Sequence, residues 1–520
     1  MKTLSFATFK DKVMGCWQGK NIGGTLGGPF EAQRRVIEDV SFYVQDLSKG
    51  PPMNDDLDLQ LVWLAAVERY GANVNASILA EYWTSFIFPN WAEYGMGKAN
   101  LRAGLEPPLS GSVSNPYRNS CGCFIRSEIW ACLNPGRPER AARYAYEDAI
   151  VDHADDGAIC EVFFAAMQSA AFVESDPLKL LDIALSYIPV DCALARAIAV
   201  ARDCAARRAP VRECRKAIHD CVPGTFGLQV RTVQEANADP DAIQDGEPGF
   251  DAPENVAFAV AGLLYYPDDF EKALLFALSF GEDTDCTCAS LGATLGILHG
   301  SSRLPEKWTK PLGNRITTGC IDRTNKDMAK IPNTIEELTE RVVRVLPAFQ
   351  HWTDYEFAPD GGYTIECLDG KDLYAPNPDR YLKGINSNWF ECAPTVADRL
   401  AMGPYAVLRD FPSFTIVVDA LREPFIAAGE EREIRVSFYP RAFLRRQQWA
   451  RITAYATPGV EIRGSASREV PINDLWRNRV DLTYVVNADA ATASRIEILF
   501  DVTMPGRPSN GTAKIVLIKQ

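Results

Sequence analysis

Glycine recurs at every fourth position, at Gly15, Gly19, Gly23 and Gly27, on a segment whose Phe9, Val13, Cys16 and Trp17 fall at helical spacing. A stripe of residues without a Cβ lets a second helix, or a ligand, come closer to the backbone than any other side chain permits. The helix is expected over Phe6 to Asn21, with the later glycines breaking it. Gly28-Pro-Phe-Glu31 follows at once, so the glycine-lined face hands over to a single carboxylate that is a candidate to point into a cleft.

Two further stretches place several acids where a helix begins. Met53-Asn-Asp-Asp-Leu-Asp58 opens an apolar helical pattern with Leu57, Leu61, Leu64 and Ala65 on one face and Gly71 as its stop. Gly281-Glu-Asp-Thr-Asp-Cys-Thr287 opens a segment of small residues, Cys288 to Gly300, with Gly292 and Gly296 four apart. At a helix start the free backbone N–H groups and the positive end of the helix dipole stabilise anions, so paired carboxylates can stay ionised there. Hard cations are their natural partners. Taken singly, each turn is explained as well by simple capping; two of them in one chain make a shared site conceivable.

A third turn, Asp152-His-Ala-Asp-Asp-Gly157, carries one of the four histidines and leads into an apolar helix, Ala158 to Phe172, whose one charge, Glu161, needs a partner if buried. His153 is either a structural hydrogen-bonding residue or a participant in the site. The passage from Trp91 to Asn119, rich in Gly and Pro, reads as a long irregular loop, the kind that often carries function, and makes Asn115, Tyr117, Arg118 and Asn119 candidates to line a pocket.

Composition narrows the classes of partner. A formal net charge of -14 without any basic tract argues against nucleic acid and against anionic membranes. The start of the chain is too polar for a secretory signal, and no run of 18 apolar residues occurs, so a cytoplasmic protein is expected. Cys121/Cys123 and Cys286/Cys288 lack the usual Cys-x-x-Cys zinc spacing.

Helical patterns, with almost no strand-like alternation, fill residues 1–350. After an irregular connector, 351–412, the period becomes two over Phe414 to Val418, Arg432 to Phe438, Ala450 to Ala456, Val480 to Val486, Arg495 to Val502 and Ala513 to Ile518. Short strands separated by turns, Asn510-Gly511 among them, predict a small β-sandwich over 413–520. The expected architecture is an all-α domain followed by an all-β accessory domain.

The order and separation of four motifs, the Gly15 to Glu31 stripe, Asn54-Asp55-Asp56, the Asp152-His153 turn and Gly281-Glu-Asp-Thr-Asp285, resemble the ADP-ribosylglycohydrolase family over about residues 7–310. The resemblance implies an all-helical fold with two magnesium ions, sometimes manganese, at the cleft floor. It implies Asn54, Asp55, Asp56, Asp283 and Asp285 as metal ligands, and Glu31 and Asp56 as catalytic acids, with Glu31 facing the ribose and the attacking water. Asn119, Gly122, Arg126 and His153 are the implied substrate-binding residues. The implied reaction is hydrolysis of an N- or O-glycosidic bond to ADP-ribose, free or protein-linked.

The chain departs from the family pattern at three places. Asn54 stands where Ser or Thr is usual, and Cys286, a soft donor, where a hydroxyl residue is frequent. Asn119-Ser-Cys-Gly-Cys-Phe-Ile-Arg126 replaces a glycine- and serine-rich segment that cradles a diphosphate in ADP-ribose-cleaving members. Two other readings therefore stay open: a glycoside hydrolase on the same scaffold acting on another sugar, such as a furanoside, and a binding protein without activity.

Overall fold

The computed structural model describes all residues except 223–249, 327, 329, 359–361, 377–395, 412–413, 441–447, 473–478, 490–491 and 506–509. The connector expected between Val222 and Ala252 lies almost wholly outside the described residues. The chain divides into two compact units, Met1–Leu101 with Glu106–Pro378, and Arg102–Leu105 with Asp379–Gln520.

The first unit is helical and is built round the glycine stripe. Helix α1 runs over Phe6–Gly27, so the later glycines do not break it. They pack it instead. Methyl groups placed on Gly15, Gly19, Gly23 and Gly27 would collide with the backbone at Gly296, Gly292, Cys288 and Thr284 in turn. Steps of four in opposite directions make this an antiparallel contact between α1 and the helix Thr284–His299, backbone against backbone along its whole length. Gly292 and Gly296 return the fit, facing the carbonyl oxygens of Gly19 and Gly15. The dispersion and burial gained over this seam replace the propensity that glycine lacks in a helix. The register also delivers the last turn of α1, and with it Glu31, to the first turn of the second helix.

The strand pattern missed one small sheet. β1 (Lys2–Ser5) pairs antiparallel with β3 (Tyr363–Cys367), which pairs with β2 (Tyr355–Phe357). The 351–412 connector thus contributes two strands to the first unit. Trp91 to Asn119 also differs from the expected loop, for the helix Ala92–Arg102 and a short turn of helix at Leu109–Ser112 occupy much of it. Among the described residues no helix is long and apolar enough to cross a membrane, and no disulfide is formed.

Among its described residues the second unit holds two five-stranded sheets, one in the order β10 (Ser467–Ile472), β8 (Gln448–Ala456), β12 (Arg495–Thr503), β13 (Asn510–Lys519), β6 (Phe425–Ile426), the other in the order β4 (Ala406–Asp410), β5 (Phe414–Asp419), β7 (Glu431–Pro440), β11 (Val480–Ala488), β9 (Val460–Arg463). Alternate residues of both, among them Phe414, Ile416 and Val418 from β5 (Phe414–Asp419) and Ile496, Ile498 and Phe500 from β12 (Arg495–Thr503), share one core. That is the period-two pattern converted into a sandwich. Asn510-Gly511 is not a turn, because both residues pair with Thr503 and Val502 inside β13 (Asn510–Lys519).

Candidate metal centre

Helix α2 spans Asp55–Tyr70. Asn54 caps it, its side-chain carbonyl accepting the Asp56 N–H at 2.7 Å. The oxygen expected to meet a metal is therefore already one partner of the helix start. Asp55 and Asp56 follow in the first turn, and the dipole argument holds for both. Asp55 Oδ2 accepts the Tyr94 hydroxyl at 2.7 Å. Asp56 is buried; neither carboxylate oxygen receives a hydrogen bond, and its nearest cation is Lys20, whose Nζ stands 3.3 Å from Oδ1.

Asp283 and Asp285 stand at the start of Thr284–His299, where Asp283 occupies the cap position. Asn255 fixes this turn: its Oδ1 accepts the Asp283 N–H at 3.1 Å and the Thr287 hydroxyl at 3.3 Å. The preceding residue, Glu282, sits at φ 66° and pairs in a bridge with Gln33, while Ala32 sits at φ 63°. Two non-glycine residues in the left-handed region cost strain that the surroundings must hold in place. Arg215 and Arg34 do so by clasping the buried Glu282 carboxylate. The bridge ties the Glu31 segment directly to the acidic turn.

These elements bring Glu31, Asp283 and Asp285 together, each offering an oxygen within 4.8 Å of the others, and Asp56, Asp285 and Cys286 meet within the same distance through two carboxylate oxygens and the Cys286 sulfur. Asp283 Oδ1 and Asp285 Oδ1 are buried with no hydrogen-bond donor. Unpaired buried carboxylate oxygens are costly, and clustered ones repel. Burial, then Asp285, holds the Asp283 carboxyl well above the ordinary range; burial, then Glu31 and Asp56, does the same for Asp285. Glu31 reaches solvent at the rim of the cluster, and the protein around it, together with Asp283 and Asp55, pushes it up to about 8. A site of hard oxygen donors with unmet acceptor capacity fits divalent magnesium or manganese. Burial also raises the Cys286 thiol well above its ordinary value, so it is a protonated, soft and poor partner for such ions; Glu31, Asp283 and Asp285 form the harder set. Thr287, turned to Asn255, is not oriented as a substitute.

The residues expected to meet substrate lie differently. Arg126 is fully buried, with Nε 2.7 Å from Asp148 and Nη2 2.6 Å from Asp152, and it stacks over Trp83. His153 is fully buried between Asp152, at 2.9 Å from Nδ1, and Ser120, at 2.9 Å from Nε2. Both hold the polypeptide behind the site and present no face to a ligand. Asn119 Oδ1 accepts the Gly157 N–H at 3.2 Å, Asn115 is buried between Gly111 and Asp152 carbonyls, and Gly122 is closed in by Glu93 and Tyr94. Asp58 is a clamp, its Oδ2 accepting N–H groups of Gly319 and Cys320 at 2.6 and 2.7 Å. Buried Glu161 lies beside Asp148; burial, then Asp148, raises its carboxyl well above the ordinary range.

Three participants gave little sign in the sequence. Lys20, buried on the glycine-striped helix, joins Asp56 to Glu128 at 3.0 Å; Glu128 also receives Gln60 and Gln168. A lone lysine inside a glycine stripe is the signal that could have found it. Tyr94 and Glu93 were hidden in a passage read as loop.

Fold and site together define a helical protein organised round a carboxylate cluster suited to divalent cations. The chain belongs to the ADP-ribosylglycohydrolase family, whose model matches residues 5–350, and it is thereby a glycohydrolase scaffold. A solved structure described as an ADP-ribosylglycohydrolase-related protein complex is similar at 16% identity, covering 65% of this chain and 99% of that chain with a TM-score of 0.44. No curated protein matches the sequence.

Proposed function

We propose that the chain is a magnesium-dependent hydrolase of an N- or O-glycosidic bond. The observation that supports this best is the convergence of Glu31, Asp283 and Asp285, with Asp56 beside them, in one acidic cluster with unpaired oxygens. Asp55, Asp56, Asp283 and Asp285 would hold two cations, manganese serving as well as magnesium, with Asn54 a weaker candidate because its oxygen caps α2. Bound there, the cations supply Lewis acidity toward sugar hydroxyls and make a coordinated water more acidic. Glu31, at the exposed rim, would accept a proton from attacking water at its carboxylate. Tyr94 orients Asp55, Lys20 orients Asp56, and Asn255 orients the Asp283 turn. ADP-ribose is the first substrate suggested by the family; a sugar without the ADP group is the second, and the buried Ser120–Cys123 segment favours it.

The test is release of the aglycone or of ADP-ribose from nitrophenyl glycosides and ADP-ribosylated peptides, with magnesium and with EDTA. The cluster also predicts a pH effect. The folded-state value of about 8 for Glu31 lies above the unfolded value near 4. The folded, metal-free chain therefore binds more protons than the unfolded one, and its stability falls as pH rises through the window from about 4 to about 8. Cations oppose that loss, so the rise in melting temperature on adding millimolar magnesium is expected to grow from pH 5.5 to pH 8. No shift at any pH would favour the inactive binding protein.

A further inference from the structure

Ser120-Cys121-Gly122-Cys123 is a stretch of backbone that comes directly against the acidic cluster, the Cys121 thiol lying beside the Asp283 carboxylate. A glycine between small residues at a charged centre is where main-chain N–H groups can receive an anion. Here that position is closed. Ser120 and Cys121 are each 2% exposed, Cys123 is fully buried, and Gly122 is buried with them. What closes it is Glu93, on the helix Ala92–Arg102: its Oε1 packs onto Gly122 where a side chain would begin, with the Tyr94 ring alongside. Ser120 Oγ is engaged by His153 Nε2, which itself stands 3.9 Å from Glu93 Oε1.

Four cations near these elements are matched to carboxylates of the protein, while Lys98, on the helix that carries Glu93, donates to the Ile87 and Pro89 carbonyl oxygens. Lys20 faces Asp56 and Glu128, Arg126 faces Asp148 and Asp152, and Arg34 and Arg215 face Glu282. The Arg126 guanidinium reaches Gly122 only at its carbonyl oxygen, 3.1 Å away, and is already matched to Asp148 and Asp152, so a phosphate brought to Gly122 would meet the Glu93 carboxyl group. Sugar hydroxyls are donors, and the acceptors Glu31 and Asp55 suit them. Trp91, half exposed with its ring 6.2 Å from that of Tyr94, adds an apolar plate near the same rim, and Tyr94 in turn bonds Asp55.

Resting on the glycohydrolase reading, we propose that this site takes the glycosyl group of a neutral sugar and excludes one carrying a phosphate or diphosphate, with Glu93 as the specificity-determining residue that fills the anion position at Gly122.

Calorimetric titration of ADP-ribose into the full chain with magnesium tests this, comparing wild type, Glu93→Gln and Glu93→Ala, with melting curves to confirm that each variant folds. Wild type is expected to show no binding below millimolar concentration. Glu93→Ala, which removes both bulk and charge, is expected to bind at least tenfold tighter, with isosteric Glu93→Gln in between. Micromolar binding by wild type, or no tightening in the variants, would overturn the proposal; should Glu93→Ala fail to fold, Glu93→Gln against wild type decides it. Failure of the underlying reading is separately visible: wild type would then release nothing from any glycoside or ADP-ribosylated peptide in a magnesium-dependent way, while the binding comparison still reads out the role of Glu93.

Discussion

Asp285→Asn is expected to lower kcat/KM with magnesium by about a thousandfold, the scale on which removal of one preorganised electrostatic group acts, while the metal-free protein becomes more stable than wild type. The two effects share one cause. Asp285 is buried, its Oδ1 has no donor, and burial, Glu31 and Asp56 all press its carboxyl toward the neutral form. An amide of the same shape carries no charge to be repelled, and its N–H groups find acceptors in the surrounding carboxylates. The same exchange deprives a cation of a ligand. Asp56→Asn should match the loss of turnover without the gain in stability, because Asp56 has a partner to lose in Lys20. Kinetics with magnesium and melting curves in EDTA at pH 8 measure both halves. Wild-type turnover in Asp285→Asn would remove the metal-centred mechanism; lost turnover with lost stability would mean that the acid serves the core.

Such opposite signs mark how the site was legible in the sequence. Acids massed at a helix start, as in 53–58 and 281–287, are visible because capping chemistry and charge sit on adjacent residues. The glycine stripe announced a close approach, but its partner, and the survival of the helix through Gly27, depend on a register with residues 284, 288, 292 and 296 that no local window contains. Strands with a buried face, such as β12, showed their period. Short or edge strands, such as β4 (Ala406–Asp410) and β6 (Phe425–Ile426), did not, for they have no cleanly alternating face to show. Gly95 and Gly97 made 91–119 look like a loop, yet tertiary packing carries a helix through them. The price was Glu93 and Tyr94, the residues that set the wall of the site. Arg126 and His153 show the converse: polar residues beside the right motif drew a functional reading, and the partners that hold them, Asp148 and Asp152 for Arg126 and Ser120 for His153, come from positions that no local pattern links to them.

Lys20→Met is expected to cost about 3–5 kcal/mol of folding stability in EDTA, the range for breaking a buried ion pair by removing one partner. The ammonium is wholly buried between Glu128 at 3.0 Å and Asp56 at 3.3 Å, so its loss strands two carboxylates at once. Adding Glu128→Gln should recover part of that cost, because it removes one stranded charge and its amide oxygen can still accept from Gln60, which donates to Oε2 of Glu128. Asp56 behaves differently. Without Lys20 its charge is compensated by a cation alone, so magnesium is expected to raise the melting temperature of Lys20→Met by more than it raises that of wild type. Denaturant unfolding in EDTA and melting curves with and without magnesium supply these comparisons. Equal stability of Lys20→Met and wild type in EDTA would show that the ammonium does not hold the two acids. A large loss that magnesium leaves untouched would place Lys20 in the service of Glu128 and the packing behind it, rather than of the metal centre.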